Sequence, residues 1–149
     1  MSGKELKEKV YFCGSIRAGR ERQPIYEAMA KHLSENYGPV LTQHVADKVQ
    51  KCDVAATEKE IHDRDIAWLK ECTSVVAECT LPSLGVGYEL AFAVWLDKPT
   101  LILFCPSEGK RLSAMIAGQE KFTVCEYNTL EEGIAAIDAF YAKLRAQKK

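Results

Sequence analysis

Short β-rich apolar runs alternate with amphipathic helical stretches along almost the whole chain, and this alternation restricts the fold more than any other feature. Val10-Tyr11-Phe12-Cys13, Val40-Leu41-Thr42, Ser74 to Cys79, Thr100 to Cys105 and Phe122-Thr123-Val124-Cys125 read as five strands. Between the first two, Arg22 to Tyr37 carries Ile25, Ala28, Met29 and Leu33 on a helical period and stops at Gly38-Pro39. Glu58 to Cys72 repeats the pattern with Ile61, Ile66, Trp68 and Leu69; Thr57 stands at its N-cap and Glu60 at the capping-box position. Val86 to Leu96 is almost wholly apolar and predicts a buried helix. Leu112 to Ala117 reads as a short helix, and Thr129 to Ala146 as a closing one, capped by Thr129 with Glu132 three residues on.

Parallel strands joined through helices need right-handed crossovers, so the pattern predicts a three-layer α/β domain of flavodoxin or Rossmann type. Its five-stranded parallel sheet is expected in the order 2-1-3-4-5. In that order the loops after the first and third strands, Gly14-Ser15-Ile16-Arg17 and Leu81 to Glu89, flank one crevice. The length fits a single domain over residues 1–149, with short flexible termini at about 1–8 and 146–149.

Composition removes several functional classes. A net charge of -1, with Lys and Arg spread along the chain, leaves no stripe for a nucleic-acid polymer. Six cysteines without a CxxC pair, with Cys13, Cys79 and Cys105 at the ends of strand-like runs, read as buried free thiols of a reducing compartment. No apolar run approaches the roughly 18 residues of a membrane span. The cytoplasm is the expected location, with the nucleus left open. The three histidines have no metal-ligand spacing, and no GxSxG elbow is present.

Chemistry concentrates in the two crevice loops. Gly14-Ser15-Ile16-Arg17 offers a small residue, a hydroxyl and a forked cation suited to phosphate, although alone it equally fits an ordinary βα turn. Pro82-Ser83-Leu84-Gly85-Val86-Gly87 opens a helix and aims backbone N–H groups at an anion; without a GK[ST] sequence it suits a single phosphate. Glu89 is the sharper signal, because a carboxylate on an apolar helix is costly to bury without a role or a partner. Asp65, amid His62, Asp63 and Arg64, reads by itself as a solvated helix residue, and Tyr11 as a core aromatic. If Asp65 points inward, the two carboxylates form the pair that glycosyl chemistry uses.

The runs Val10 to Arg17, Leu41 to Asp47, Ile61 to Asp65, Pro82 to Leu90 and Leu112 to Ile116 closely resemble the 2′-deoxynucleoside 5′-phosphate N-hydrolases, relatives of the nucleoside 2-deoxyribosyltransferases, in order and register over roughly residues 9 to 127. The resemblance implies a homodimeric enzyme that cleaves deoxynucleoside monophosphates to free base and 2-deoxyribose 5-phosphate, with no metal or organic cofactor. It implies Glu89 as nucleophile, Asp65 as the acid assisting base departure, and Tyr11 as the phenol ordering carboxylate and sugar. It further implies substrate contacts by Gly14, Ser15, Ile16, Arg17, His44, Ser83 and Gly85, with Ser113 and Met115 on a segment donated by the neighbouring subunit. The chain departs from the family in the Asp47 to Glu58 loop and at Cys79, which leaves base preference open. Deoxyribosyl transfer between bases, ribonucleotide hydrolysis, and a non-catalytic nucleotide sensor or flavin-binding domain are the competing functions.

Overall fold

The computed structural model describes residues 8–16, 21–46, 56–107 and 109–148. Strands β1 (Val10–Cys13), β2 (Ser74–Glu78), β3 (Thr100–Phe104) and β4 (Phe122–Glu126) form one sheet in the order β1-β2-β3-β4. Every pairing is parallel, with Val10 opposite Ser74, Val75 opposite Thr100, and Thr100 opposite Phe122. Among the described residues six helices connect and cover the strands: α1 (Gln23–Asn36), α2 (Gln43–Ala46), α3 (Glu58–Glu71), α4 (Leu84–Trp95), α5 (Ala114–Ala117) and α6 (Leu130–Gln147).

The expected five-stranded sheet is therefore corrected to four strands, and its 2-1-3-4-5 order to β1-β2-β3-β4. The segment expected as the second strand lies beside β1, but only through an isolated parallel bridge between Val10 and Val40. Val10 N–H donates to Pro39 at 2.9 Å and Leu41 N–H donates to Val10 at 2.9 Å, and there the ladder ends. Thr42 then substitutes its side chain for backbone: Oγ1 accepts from Phe12 N–H at 2.8 Å and donates to the Phe12 carbonyl at 2.7 Å. With Phe12 satisfied by a hydroxyl, the main chain is released to turn into α2 at Gln43. Strand β1 is thus still flanked by Val40 on one side and by β2 on the other.

Alternate strand residues build two cores. Val10, Phe12, Val76, Leu101 and Leu103 pack with Met29, Leu33, Ile137 and Tyr141 of α1 and α6. Tyr11, Cys13, Val75, Ala77 and Ile102 pack with Leu69, Val86, Leu90 and Ala93 of α3 and α4. The period of two thus gives Tyr11 to the side of α4 and Glu78 to the side of α1. On α1 the buried stripe runs through Tyr26, Met29, Ala30 and Leu33, so Tyr26 takes the place expected for Ile25 and Ala28. Both expected capping residues act: Thr57 Oγ1 accepts from Glu60 N–H at 3.2 Å, while Glu60 returns to Thr57 N–H at 2.7 Å. Thr129 Oγ1 accepts from Glu132 N–H at 3.2 Å.

Helix α4 corrects a second expectation. It is not buried all round: Leu84 is 96 % exposed, Tyr88 54 % and Trp95 83 %, and Ala91 on the same stripe is exposed too. Val86, Leu90 and Ala93 alone are buried.

Candidate active site

The site is built where β1 and β2 end and α3 and α4 approach each other. Tyr11 projects from β1 and donates its hydroxyl to Glu89 Oε1 of α4 at 2.6 Å. A core aromatic and a helix carboxylate, distant by 78 positions, are thereby joined. The Glu89 carboxyl is raised to about 7, by burial first and also by the charge of Asp65, while hydrogen bonds from Tyr11 and the Cys13 thiol act in the opposite sense. The phenol of Tyr11 is itself raised, by burial first and by Glu89 next, so it stays protonated and remains a donor. At neutral pH such a carboxyl is partly ionised and poised to gain or lose a proton.

Asp65 lies on α3, its side chain mostly buried rather than solvated, and its charge raises both the Glu89 carboxyl and the Tyr11 phenol. Arg64 holds it, with Nε and Nη2 at 2.9 and 2.8 Å from Asp65 Oδ1. The same guanidinium stacks 4.8 Å over the Trp68 ring and approaches His44 Nε2 at 3.3 Å. Arginine cannot accept, so Nε2 of His44 is the acceptor in that bond. His44, buried on α2, also packs its ring 5.7 Å from Trp68.

The residues expected to contact phosphate lie after β1 and at the start of α4. Ser15 is buried at the end of β1, its N–H donating to Tyr26 Oη at 3.2 Å. A Cβ on Gly14 would sit 2.9 Å from the Tyr26 ring, so this glycine is required by the packing of α1 on the loop. Ile16 packs against the α1 side of the core, and Arg17 lies outside the described residues. Ser83 is the N-cap of α4 and accepts from Val86 N–H at 3.2 Å, which leaves its own O–H to donate elsewhere. Gly85, in the first turn, faces open space with only Ser83 Oγ near a hypothetical Cβ, at 3.7 Å, so a ligand can approach the backbone there.

Ser113 and Met115 are exposed at the start of α5 and line an apolar groove of about 930 Å³ with Ser83, Leu84 and Val94. Most of the Asp47 to Glu58 loop lies outside the described residues. Cys13, Cys72, Cys79, Cys105 and Cys125 are free thiols, as expected, but only Cys13 and Cys72 are buried; Cys79, Cys105 and Cys125 are half-buried, and Cys52 lies outside the described residues.

Sequence reasoning passed over Arg64, Trp68 and Glu78. Arg64 and Trp68 are four apart on one helix face, the spacing at which a guanidinium reaches a ring. Glu78 ends the buried strand β2 and is itself completely buried, where a carboxylate is as costly without a partner as on α4.

Residues 10–122 match the family described as nucleoside 2-deoxyribosyltransferase, which is more than half of the chain. The chain belongs to that family. It is 50 % identical over 132 residues to 5-hydroxymethyl-dUMP N-hydrolase of Mus musculus, covering 85 % of this chain and 76 % of the relative. With the protein of the same name from Danio rerio the identity is 48 % over 137 residues, covering 83 % and 93 %. Among solved structures, a CMP N-glycosidase from Clostridium botulinum superposes with a TM-score of 0.67 at 18 % identity, over 89 % of this chain and 99 % of that one. This last likeness concerns the fold.

Proposed function

We propose that this chain is an N-glycosidase that hydrolyses 2′-deoxynucleoside 5′-monophosphates to free base and 2-deoxyribose 5-phosphate, with 5-hydroxymethyl-dUMP among its substrates. The observation that carries the reading is the 2.6 Å bond from Tyr11 to Glu89, a carboxyl raised to about 7 beside the charge of Asp65. The Glu89 carboxylate attacks C1′, and the C1′–N bond breaks with its electron pair passing to the base. In the reacting state the two carboxyls share one proton: Asp65 holds it while Glu89 is ionised, and passes it to the departing base. Water then attacks C1′ of the glycosyl ester and gives a proton to the Asp65 carboxylate, and 2-deoxyribose 5-phosphate leaves as the Glu89 carboxylate is restored. Tyr11 holds Glu89 in line throughout and crowds the C2′ face of the sugar.

Gly14, Ser15, Ile16, Arg17, Ser83 and Gly85 hold the 5′-phosphate side, and His44 takes part in substrate binding. Relatives named as N-hydrolases at 48–50 % identity favour water over a second base as the acceptor. The cytoplasm is the proposed location, with the nucleus open; among the described residues no helix is long and apolar enough to cross a membrane. A panel of deoxynucleotides, deoxynucleosides and ribonucleotides, assayed for free base, tests the reading. Deoxynucleotides should react at least about tenfold faster than deoxynucleosides at low concentration. Equal cleavage of deoxynucleosides would favour the transferase alternative.

The assembly we propose is a two-fold dimer in which Ser113, with Met115 beside it, completes the neighbouring site. The stripe of Leu84, Tyr88 and Trp95 on α4 and Met115 on α5, 83 % exposed, form an apolar surface that a second copy would cover. Mixing Glu89→Ala and Ser113→Ala chains under subunit exchange gives heterodimers in which one site carries both defects and the other neither. At equal amounts, half of the dimers are mixed, so activity should recover to about one quarter of wild type. Activity equal to the average of the two parents would exclude a shared site.

A further inference from the structure

Glu78 is a fully buried carboxylate that the proposed reaction does not use. It sits at the carboxyl end of β2 on the α1 side, where the loops following all four strands meet. From its own loop, Thr80 N–H donates to Oε1 at 3.2 Å and the Thr80 hydroxyl also donates to Oε1. Thr80 Oγ1 in turn accepts from Cys105 N–H at 2.9 Å, which ties in the loop after β3. Tyr127, after β4, donates its hydroxyl to Oε1 at 3.2 Å. Arg22, at the N-cap of α1, donates Nη2 to Tyr127 Oη and brings Nε to 3.6 Å from Glu78 Oε2.

One turn on from Arg22 in α1 stands Tyr26, which receives Ser15 N–H and packs against Gly14. Ser15 is therefore held by the first turn of the helix whose N-cap is Arg22, Tyr26 N–H donating to the Arg22 carbonyl at 3.0 Å. Tyr26 responds electrostatically to Glu78: its phenol is pushed up to about 12 by burial first and by the Glu78 charge next. The ion pair itself stops short of a hydrogen bond, and Arg22 Nε and Glu78 Oε2 are the two buried side-chain polar atoms without a partner among the described residues. A buried pair present only for stability would be bettered by apolar packing, and one left open is poorer still.

We infer that the Arg22–Glu78 pair is a positioning device for the 5′-phosphate grip, holding Ser15 in place through the first turn of α1. The inference rests on the phosphate-directed reading above. Neither residue is assigned contact with substrate; they act through Ser15 and its loop. A loosened loop weakens phosphate binding whichever partner is removed. A purely electrostatic role would instead make the two removals opposite in sign, because one deletes a cation and the other an anion.

The test compares Arg22→Gln, Glu78→Gln and the double variant, each checked for folding by circular dichroism, with a deoxynucleoside monophosphate and the matching deoxynucleoside as substrates. Each single variant should raise KM for the nucleotide about tenfold and leave kcat within about threefold. Deoxynucleoside kcat/KM should stay within about twofold, and the double variant should be no worse than either single one. If Glu78→Gln does not fold, Tyr127→Phe, which removes a donor to Glu78 and the acceptor of Arg22, should move nucleotide KM in the same direction by about threefold. Opposite shifts for Arg22→Gln and Glu78→Gln, equal losses with both substrates, or no change overturn the inference. A wild-type enzyme with no preference for the phosphorylated substrate is a different result: it defeats the phosphate reading itself, and this inference with it.

Discussion

Glu89→Gln should lower the rate of base release by roughly three orders of magnitude or more while leaving the fold intact, since an amide cannot attack C1′ as a carboxylate does. The same variant should be the more stable protein above neutral pH. Glu89 has a folded-state value of about 7, whereas an unfolded glutamate lies near the ordinary carboxyl range. Between these values the folded chain holds a proton that the unfolded chain lacks, so stability falls as pH rises through the window. Above it the penalty is complete, on the order of 2 kcal/mol for a partly exposed group. Glutamine still accepts from Tyr11 and removes the penalty. Denaturant unfolding should therefore show a gain for Glu89→Gln at pH 8 that vanishes near pH 4; a variant less stable than wild type at pH 8 would show that Glu89 is retained for structure.

Asp65→Asn should slow cleavage by about 10²–10⁴-fold for bases that leave poorly, and by much less for bases whose anions are already stable. A leaving-group series read as log kcat/KM checks this, and equal slowing along the series would make Asp65 structural. The acid limb of the pH profile gives a second, independent sign. Turnover requires ionised Glu89, so the rate rises with pH through about 7. The Asp65 charge raises that value, and Asp65→Asn should move the limb to lower pH. The Tyr11 hydroxyl lowers it, and Tyr11→Phe should move the limb to higher pH. Opposite displacements by two neighbours of one carboxyl are difficult to obtain from general damage.

Much of the scaffold is legible locally. Strands made of apolar runs, helices opened by Thr57 and Thr129, and the helix start at Ser83 all follow from interactions within a few residues. The second strand was not legible, because its fate turns on Thr42, whose hydroxyl displaces backbone pairing with a residue 30 positions away. An apolar helix likewise does not announce which of its faces a sheet will cover, and α4 leaves Leu84, Tyr88 and Trp95 outside.

For the site, the sequence by itself determined that a carboxylate on α4 needed a partner, that two loops rich in small and hydroxyl residues follow strands, and, through resemblance, that the chemistry is glycosidic. Only the tertiary structure decided which partner Glu89 has. Alternation along β1 turns Tyr11 to the α4 side, and packing of α3 on α4 brings the Asp65 charge to bear on Glu89. The same alternation along β2 turns Glu78 to the opposite face, where Arg22 and Tyr127 converge from remote parts of the chain. Burial and charge coupling, the two causes that raise Glu89 toward neutrality, depend on distances in space, and residue order fixes those only after the sheet has formed.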